Sequence, residues 1–231
     1  MNILILNGSP KQDQGTTGTI LKTLEKGLTK TNPQITTKYA YKLNVNPCIG
    51  CFSCWTKTPG KCIHKDDVEE LLSTLAETDL LILATPVYVD GMTGPLKTLL
   101  DRFIPLIKGR VELRDGHMRH VSRKEVNESK IALVSSSGFA EMDNFGPLVS
   151  HVKALSKNLG WNYVGEVLVP SAWYYRYEEG VLEKALEIIE SAGKSLVENG
   201  TISGEVSESI GSLISRAKVV DLLNQAYSKY E

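Results

Sequence analysis

All four cysteines of the chain lie in one short segment, residues 47–62, here called the cysteine loop. They are Cys48, Cys51, Cys54 and Cys62, in the pattern C-x2-C-x2-C-x7-C. In a cytoplasmic protein such crowding argues against structural disulfides, and thiolates at this spacing can converge on one metal centre. Four thiolates suffice for a four-iron, four-sulfur cluster, and a zinc ion is the next option. Alternatively, the thiols bind nothing and the loop serves only packing.

A second candidate site lies at residues 7–19, where a short apolar strand gives way to a helix. Fingerprints of the P-loop and dinucleotide type are absent from this segment. The free N–H groups and the dipole of a helix N-terminus favour an anion there. We expect a cradle for one phosphate group, and the alternative is an ordinary strand-to-helix turn. The donors are the hydroxyls of Ser9, Thr16, Thr17 and Thr19, with Lys11 as the loop's one positive charge.

Two further loops, residues 85–94 and 135–139, are expected at the carboxyl ends of predicted strands. Ligands of open α/β sheets bind at this edge, where the strand order reverses. The cysteine loop follows the predicted second strand, so we expect it at the same edge. A phosphate cradle beside loops that admit a flat ring matches the shape of FMN. The residues that permit such close approach are Pro86, Tyr88, Gly91, Gly94 and Gly138.

The rest of the chain alternates strands and helices, which is the pattern of a doubly wound α/β sheet. Continuous apolar runs predict strands that are buried on both faces of a parallel sheet. Asp66 or Asp67 is expected to cap one of the helices. The predicted strands cover residues 3–6, 36–43, 80–84, 131–134 and 164–169, and the predicted helices begin near residues 17, 67, 95, 149 and 181.

Composition limits the class of protein. With 231 residues and 42% hydrophobic content, the chain can bury a full core as one domain with additions. A net charge of −1 offers no argument for nucleic acid or an anionic membrane as partner. No apolar run reaches transmembrane length, and the sequence enters a strand without a signal peptide before it. We therefore expect a cytoplasmic protein that binds neither nucleic acid nor membranes.

The loop motifs resemble those of the NAD(P)H-dependent FMN reductases of the flavodoxin-like superfamily. Asn7-Gly8-Ser9-Pro10, followed by Gly15-Thr16-Thr17, is similar to their phosphate loop. Thr85-Pro86-Val87-Tyr88, with Gly94-Pro95-Leu96-Lys97, is similar to their isoalloxazine loop. With its cysteines, the chain most resembles the iron–sulfur flavoprotein branch, which favours iron and sulfur over zinc. The phosphate loop departs from the family pattern, since it is slightly longer and Thr16 stands where many relatives have Asn.

The resemblance implies a flavodoxin-like five-stranded sheet in the order 2-1-3-4-5 over residues 1–200, non-covalent FMN, and turnover by NAD(P)H. No side chain is needed as general acid or base, because the flavin carries the chemistry. Backbone N–H groups of residues 86–91 are expected to stabilise charge on the reduced ring. Motifs and resemblance together assign FMN contacts to Ser9, Lys11, Gly15, Thr16, Thr17, Pro86, Val87, Tyr88, Gly91, Ser136, Ser137 and Gly138, and cluster ligation to the four cysteines.

Three segments lie outside these motifs. Residues 109–129 form a polar insertion without clear period, which could grip the phosphates of a nicotinamide cofactor, line a substrate entrance, or be a solvated surface loop. Trp173 and the tyrosines after it could cover the flavin, pack at an oligomer contact, or form a cluster at the edge of the core. Residues 201–231 form a helical extension with a long apolar stripe. We expect this extension at the subunit interface of a homodimer or homotetramer.

The sequence thus predicts an FMN-dependent oxidoreductase that takes hydride from NAD(P)H and passes electrons to an acceptor, with an iron–sulfur cluster as a candidate intermediary. One alternative is a cluster-free NAD(P)H:FMN or quinone reductase. Others are a flavodoxin-like electron carrier without nicotinamide turnover and an FMN-dependent sensor or scaffold. The acceptor stays open among a quinone, a nitro-compound, free flavin, a metal ion and a ferredoxin, as does the choice between NADH and NADPH.

Overall fold

The fold is built on a five-stranded parallel sheet, seen in a computed structural model that describes residues 1–123 and 125–230. Its order is β2-β1-β3-β6-β7, which confirms the predicted order, because the two remaining strands form a separate hairpin. The second strand begins and ends earlier than predicted. The strands are β1 (Asn2–Asn7), β2 (Gln34–Tyr39), β3 (Leu80–Pro86), β4 (Ile107–Arg114), β5 (His117–Ser122), β6 (Lys130–Ser136) and β7 (Asn162–Val169).

Helices cover both faces of the sheet. Ile3 and Ile5 of β1 belong to one core cluster, whereas Leu4 and Leu6 belong to the other. The first cluster lies under α1 and α6, and the second under α3, α4 and α5. The helices are α1 (Thr16–Leu28), α2 (Ser53–Thr56), α3 (Val68–Ala76), α4 (Gly94–Leu100), α5 (Gly146–Leu159), α6 (Val181–Glu198), α7 (Glu205–Ser212) and α8 (Arg216–Tyr227).

Two glycines bring α1 and α6 into close backbone contact. A Cβ atom at Gly193 would lie 2.2 Å from the carbonyl oxygen of Leu24, and one at Gly27 would lie 2.1 Å from that of Glu190. Real Cβ atoms do not approach so closely, so side chains at these positions would push the helices apart. This contact holds α1, whose N-terminus faces the carboxyl edge of the sheet, against its neighbour.

Most of residues 109–129 form a hairpin, so the expectation of a loop without regular period is wrong. Strands β4 and β5 pair antiparallel, with Leu113 opposite Met118 and Val111 opposite His120. Asp115 and Gly116 have φ angles of 53° and 75° in the connecting turn. Asp-Gly is a strong signal for a two-residue hairpin turn. The alternation beside it was obscured because Leu113 and Met118 are exposed rather than in the core.

The C-terminal extension consists of two helices that differ in burial. Ile202 donates its N–H to the carbonyl oxygen of Val164 at 2.8 Å, and Ile210 of α7 is fully buried in the core under α1 and α6. Most of α8 is exposed, although Val219 is buried. The first half of the apolar stripe therefore packs on this chain's own sheet. Within the described ranges, no helix is long and apolar enough to cross a membrane.

Candidate functional site

Three loops meet at the carboxyl edge of the sheet, after β1, β3 and β6. The N–H of Gly8 donates to the carbonyl oxygen of Ala84 at 2.7 Å, which joins the first loop to β3, the strand that precedes the second loop. The hydroxyl of Thr93 also donates to the carbonyl oxygen of Gly8, at 2.7 Å. The N–H of Val87 donates to the carbonyl oxygen of Ser136 at 2.8 Å. The three loops are thus one connected structure.

The first loop contains a short 3₁₀ turn, Gln12–Gln14, that is anchored to the edge strand β2. The hydroxyl of Tyr39 lies 2.8 and 2.9 Å from the two carboxylate oxygens of Asp13. Burial and this hydrogen bond raise the pKa of Tyr39 to about 12. The phenol therefore stays protonated, and able to donate, at neutral pH.

Gly18 lets the first loop lie directly against α1. A Cβ atom at this position would lie 2.4 Å from the carbonyl oxygen of Gln12 and 2.5 Å from the Cα atom of Asp13. Sequence reasoning missed this residue. The signal was a glycine in the first turn of a predicted helix, where it lowers helix propensity and so calls for a packing reason.

Buried hydroxyl groups cluster where the first and third loops touch. Ser9, Thr17 and Ser136 are all buried, and Thr17 Oγ1 lies 3.1 Å from Ser136 Oγ. The side chain of Asn7 accepts the N–H of Ser9 at 2.8 Å. Its amide nitrogen Nδ2 is buried and has no partner among the described residues. Such an unpartnered donor is uncommon and indicates that a ligand or water completes the site.

The other candidate phosphate ligands are less enclosed. Lys11 and Thr19 are exposed, and Thr16 is half-buried. The hydroxyl of Thr19 is 3.4 Å from the carbonyl oxygen of Gly15 within its own helical turn. The first N–H groups of α1 have no acceptor inside the helix, as at every helix N-terminus. The site therefore gathers neutral donors, with the lysine at its rim.

The second loop ends in a tight turn between Tyr88 and Gly91. These residues exchange two backbone hydrogen bonds, at 2.9 and 3.2 Å. Val89 and Asp90 between them have φ angles of 47° and 60°, an uncommon conformation for a β-branched residue. Val89 is 100% exposed. Since the N–H groups of Val87, Tyr88 and Gly91 are used within the loops, those of Val89 and Asp90 are the ones left at the tip.

The end of β7 and the residues after it hold the third loop. The N–H of Ser137 donates to the carbonyl oxygen of Val169 at 3.1 Å. Within the loop, the hydroxyl of Ser137 donates to the carbonyl oxygen of Phe139 at 2.9 Å. The indole N–H of Trp173 donates to the carbonyl oxygen of Gly138 at 2.8 Å. Trp173 thus fixes the position of Gly138.

All four cysteines line a single cavity. Cys54 is buried, Cys48 and Cys62 are half-buried, Cys51 is exposed, and all four thiols are free. The enclosed space is about 20 Å³, room for about one water molecule. No three His, Cys, Asp or Glu side chains in the described parts of the chain are placed to hold a single metal ion.

The thiols of the cavity influence one another. Burial and the charge of the neighbouring Cys62 raise the pKa of Cys54, with smaller effects from Cys51 and Cys48. Hydrogen bonds from the backbone and side chain of Ser53 lower the pKa of Cys51. Mutual influence of this kind is expected when thiolates surround one small space.

The cavity lies beside the end of α4. Arg102, Ile104 and Pro105 line it, and these residues follow α4, whose first residue, Gly94, is at the carboxyl edge. Among the described residues, none that lines the cavity belongs to the three loops. The cysteine loop begins at the carboxyl edge after β2, as expected. That its thiols also lie at this edge stays a prediction.

A buried ion pair holds both ends of the cysteine loop. Arg102 donates to Asp66 through Nη1 at 2.7 Å and Nη2 at 3.1 Å, and the two side chains are 1% and 0% exposed. The carboxylate of Asp66 also accepts the N–H of Asn46 at 2.9 Å, and Arg102 Nη1 donates to the carbonyl oxygen of Asn46 at 2.6 Å. Burial alone would raise the pKa of Asp66, but these hydrogen bonds hold it well below its ordinary value.

The β4–β5 hairpin supports the other side of the cysteine loop. Trp55 lies between the rings of Phe52 and His120, with centroid distances of 4.8 and 4.6 Å. Arg123, just after the hairpin, donates to the carbonyl oxygen of Cys54 at 2.9 Å. The insertion therefore braces the cysteine loop, a role that the sequence did not reveal.

Two buried nitrogen atoms at the cavity have no hydrogen-bond partner in the described parts of the chain. They are Nε of Arg102 and Nε2 of His64, and both residues line the cavity. Buried polar atoms without a partner are rare in native structures, because they lose their hydration without compensation. An anionic group among the four thiols would satisfy the arginine donor. The donor set is therefore suited to a thiolate-bound centre.

The fold and the three-loop edge agree with a family match. A model of the NADPH-dependent FMN reductase family matches residues 1–173, about three quarters of the chain. The chain belongs to this family. A flavodoxin-like fold was expected, and a solved structure shows it: the FMN-dependent NADH-azoreductase of Bacillus anthracis aligns with a TM-score of 0.64 and 16% identity, over 85% of this chain and 99% of that one.

Curated relatives of this FMN reductase family member are named iron–sulfur flavoproteins. One from Methanocaldococcus jannaschii is 37% identical over 110 residues, which are 46% of this chain and 53% of that protein. One from Archaeoglobus fulgidus is 34% identical over 98 residues, 42% of this chain and 43% of that protein. The matched segment thus spans about half the length of these relatives or less.

Proposed function

We propose that this protein is an FMN-dependent oxidoreductase that takes hydride from NAD(P)H and passes electrons to an acceptor. The convergence of three loops on buried hydroxyls at the N-terminus of α1 is the observation that carries the proposal. Membership of the NADPH-dependent FMN reductase family supports the same activity.

The first loop suits the single phosphate of FMN. Thr17 and Ser9 supply buried hydroxyls, and the first-turn N–H groups of α1 supply donors aligned with the helix dipole. The unpartnered Nδ2 of Asn7 adds another donor in the same region. The sequence contains no second diphosphate fingerprint, so we propose FMN rather than FAD.

The second and third loops would hold the flavin ring. When bound, FMN supplies the chemistry of hydride acceptance and electron transfer, and the protein binds and orients the cofactor. Residues 86–91 and 136–138 present backbone and small side chains for close approach. The N–H groups of Val89 and Asp90 are the donors that can stabilise negative charge on the ring. No side chain is assigned as general acid or base.

We further propose that Cys48, Cys51, Cys54 and Cys62 hold an iron–sulfur cluster. The free thiols share one cavity, and unpartnered nitrogens lie beside them. Cluster ligands surround a body of several atoms rather than one point, so a site unsuited to a single ion can still suit a cluster. Reduced thiols also favour a cytoplasmic location.

Anaerobic mixing with NADH or NADPH tests the enzymatic proposal. We expect at least one of them to bleach the flavin absorbance and an added quinone to restore it, because hydride reaches the ring and leaves as electrons. An electron carrier or a sensor would be bleached by dithionite but by neither nucleotide, and that result would contradict the proposal. Bleaching in a protein that contains no iron would instead identify a cluster-free reductase.

Substitution Thr17→Ala tests the phosphate site. Loss of one hydrogen bond to a charged group should weaken FMN binding by roughly 1.5–3 kcal/mol. The change in affinity is measured by titrating the apoprotein with FMN and monitoring the quenching of flavin fluorescence. Thr19→Ala is the matched control, because this exposed hydroxyl bonds within its own helix. Equal affinity of the two variants, or FAD as the flavin released by heat, would refute the assignment.

We also propose that residues 201–231 contribute to a homodimer or homotetramer interface. Val220 and Tyr227 of α8 are 53% and 62% exposed, and their spacing places them on one helical face. Truncation at residue 200 is a poor test, because it would also remove Ile202 and Ile210 from the core. Substitutions on α8 leave that core intact.

The double variant Val220→Lys/Tyr227→Lys should therefore have a lower mass in light scattering than the unmodified protein. Burial of two ammonium groups in an apolar contact is strongly unfavourable. Gln225→Lys, an exposed position on another side of the same helix, serves as control and should keep the original mass. An unchanged mass for the double variant would remove α8 from the interface.

A further inference from the structure

Arg102 lines the cysteine cavity, and its side chain is only 1% exposed. Among the described residues, it is the one charged side chain of the cavity wall that is almost fully buried. Two of its nitrogens, Nη1 and Nη2, donate to Asp66. The third, Nε, is buried and has no partner among the described residues. Burial alone would lower the pKa of Arg102, but hydrogen bonding to Asp66 raises it, and the neighbouring Cys62 adds to the rise.

Stability alone does not explain this arrangement. Removing two charges from water costs several kcal/mol per ion, and well-packed apolar residues are often as stabilising as a buried pair. An unpartnered Nε adds a further cost. Charges kept under such conditions are candidates for a functional electrostatic role.

The cavity is where a bound centre would concentrate negative charge. Four thiolate ligands would bring four negative charges to this site, and each added electron would make the assembly more negative. A fixed positive charge in a medium of low dielectric constant acts strongly at this range. The carboxylate of Asp66 offsets the far side of the guanidinium, while Nε has no such partner. The nearby Asp101 is paired with Lys97.

We propose that Arg102 sets the reduction potential of the thiolate-bound centre, by favouring the form that carries the additional electron. Arg102 is a positioning residue in this role, and the inference rests on the proposed iron–sulfur function. Reduction adds one electron, supplied by the reduced flavin, while Arg102 keeps its proton and no bond is formed or broken. Its guanidinium compensates the added charge, and the unpartnered Nε is the donor available to the ligand sulfurs.

The double variant Arg102→Met/Asp66→Asn tests this role without leaving a buried charge unpaired. The protein is purified anaerobically, iron and FMN are measured, and the reduced centre is followed by EPR during a redox titration. At the midpoint potential of the unmodified protein, the ratio of reduced to oxidised centre should fall at least about tenfold. For one electron this corresponds to a midpoint potential that is lower by about 59 mV.

Two further variants separate charge from structure. Lys65→Met/Glu69→Gln removes an exposed ion pair, with side chains 78% and 58% exposed, and should leave the ratio unchanged. Arg102→Lys keeps a positive charge and should stay within about threefold of the unmodified protein. Bound FMN reports correct folding in each variant, since the hydrogen bonds of Arg102 go to Asn46 and Asp66, outside the three loops.

The outcomes are distinct. The double variant could lose its iron while Arg102→Lys keeps it and both retain FMN. That result would show that the positive charge holds the anionic centre. An unchanged ratio in the double variant would overturn the inference while leaving the proposed function intact. Loss of iron in both variants would assign Arg102 a purely structural role and overturn it as well. Unmodified protein without iron would overturn both the inference and the proposed cluster.

Discussion

Burial of β1 on both faces constrains the rest of the structure. Ile3, Leu4, Ile5 and Leu6 are almost fully buried, alternately against the two layers of helices. A strand in this position pairs on both sides, here with β2 and β3 in parallel. Parallel strands require the chain to cross back over a face each time, so their carboxyl ends collect at one edge. The three loops lie together for this reason, and α1 must begin beside them.

A second and separate constraint shapes the cysteine loop. The loop has little regular structure of its own, apart from the one turn of α2. Its ends are tied to the region after α4 by the Asp66–Arg102 pair, and its middle by Trp55 and Arg123. These contacts position four thiols around one cavity without any covalent link between them. The Asp66–Arg102 pair and the hairpin contacts, rather than the pairing of the sheet strands, therefore hold this cavity.

Local patterns predicted the sheet and its loops, because apolar runs and helix starts are encoded by neighbouring residues. They failed where distant residues decide the outcome. Asp66 or Asp67 was expected to cap a helix. Asp67 is at the N-cap position without a side-chain cap bond, and Asp66 accepts the N–H of Val68 at 3.3 Å. The main partner of Asp66 is Arg102, thirty-six positions away. The burial of Arg102 follows from that contact and has no local signal. Gly18 and the Asp115–Gly116 turn carried local signals that were overlooked.

Iron analysis of anaerobically purified protein tests the central claim most directly, namely that this flavin reductase fold also carries a thiolate-bound redox centre. We expect about four irons and four sulfides per chain, one FMN, and an EPR signal on reduction. Cys54→Ser should lose the iron and keep the FMN, because the cavity and the flavin loops are separate. Iron-free protein that still reduces its flavin with NAD(P)H at full rate, or protein with zinc in place of iron, would contradict the account.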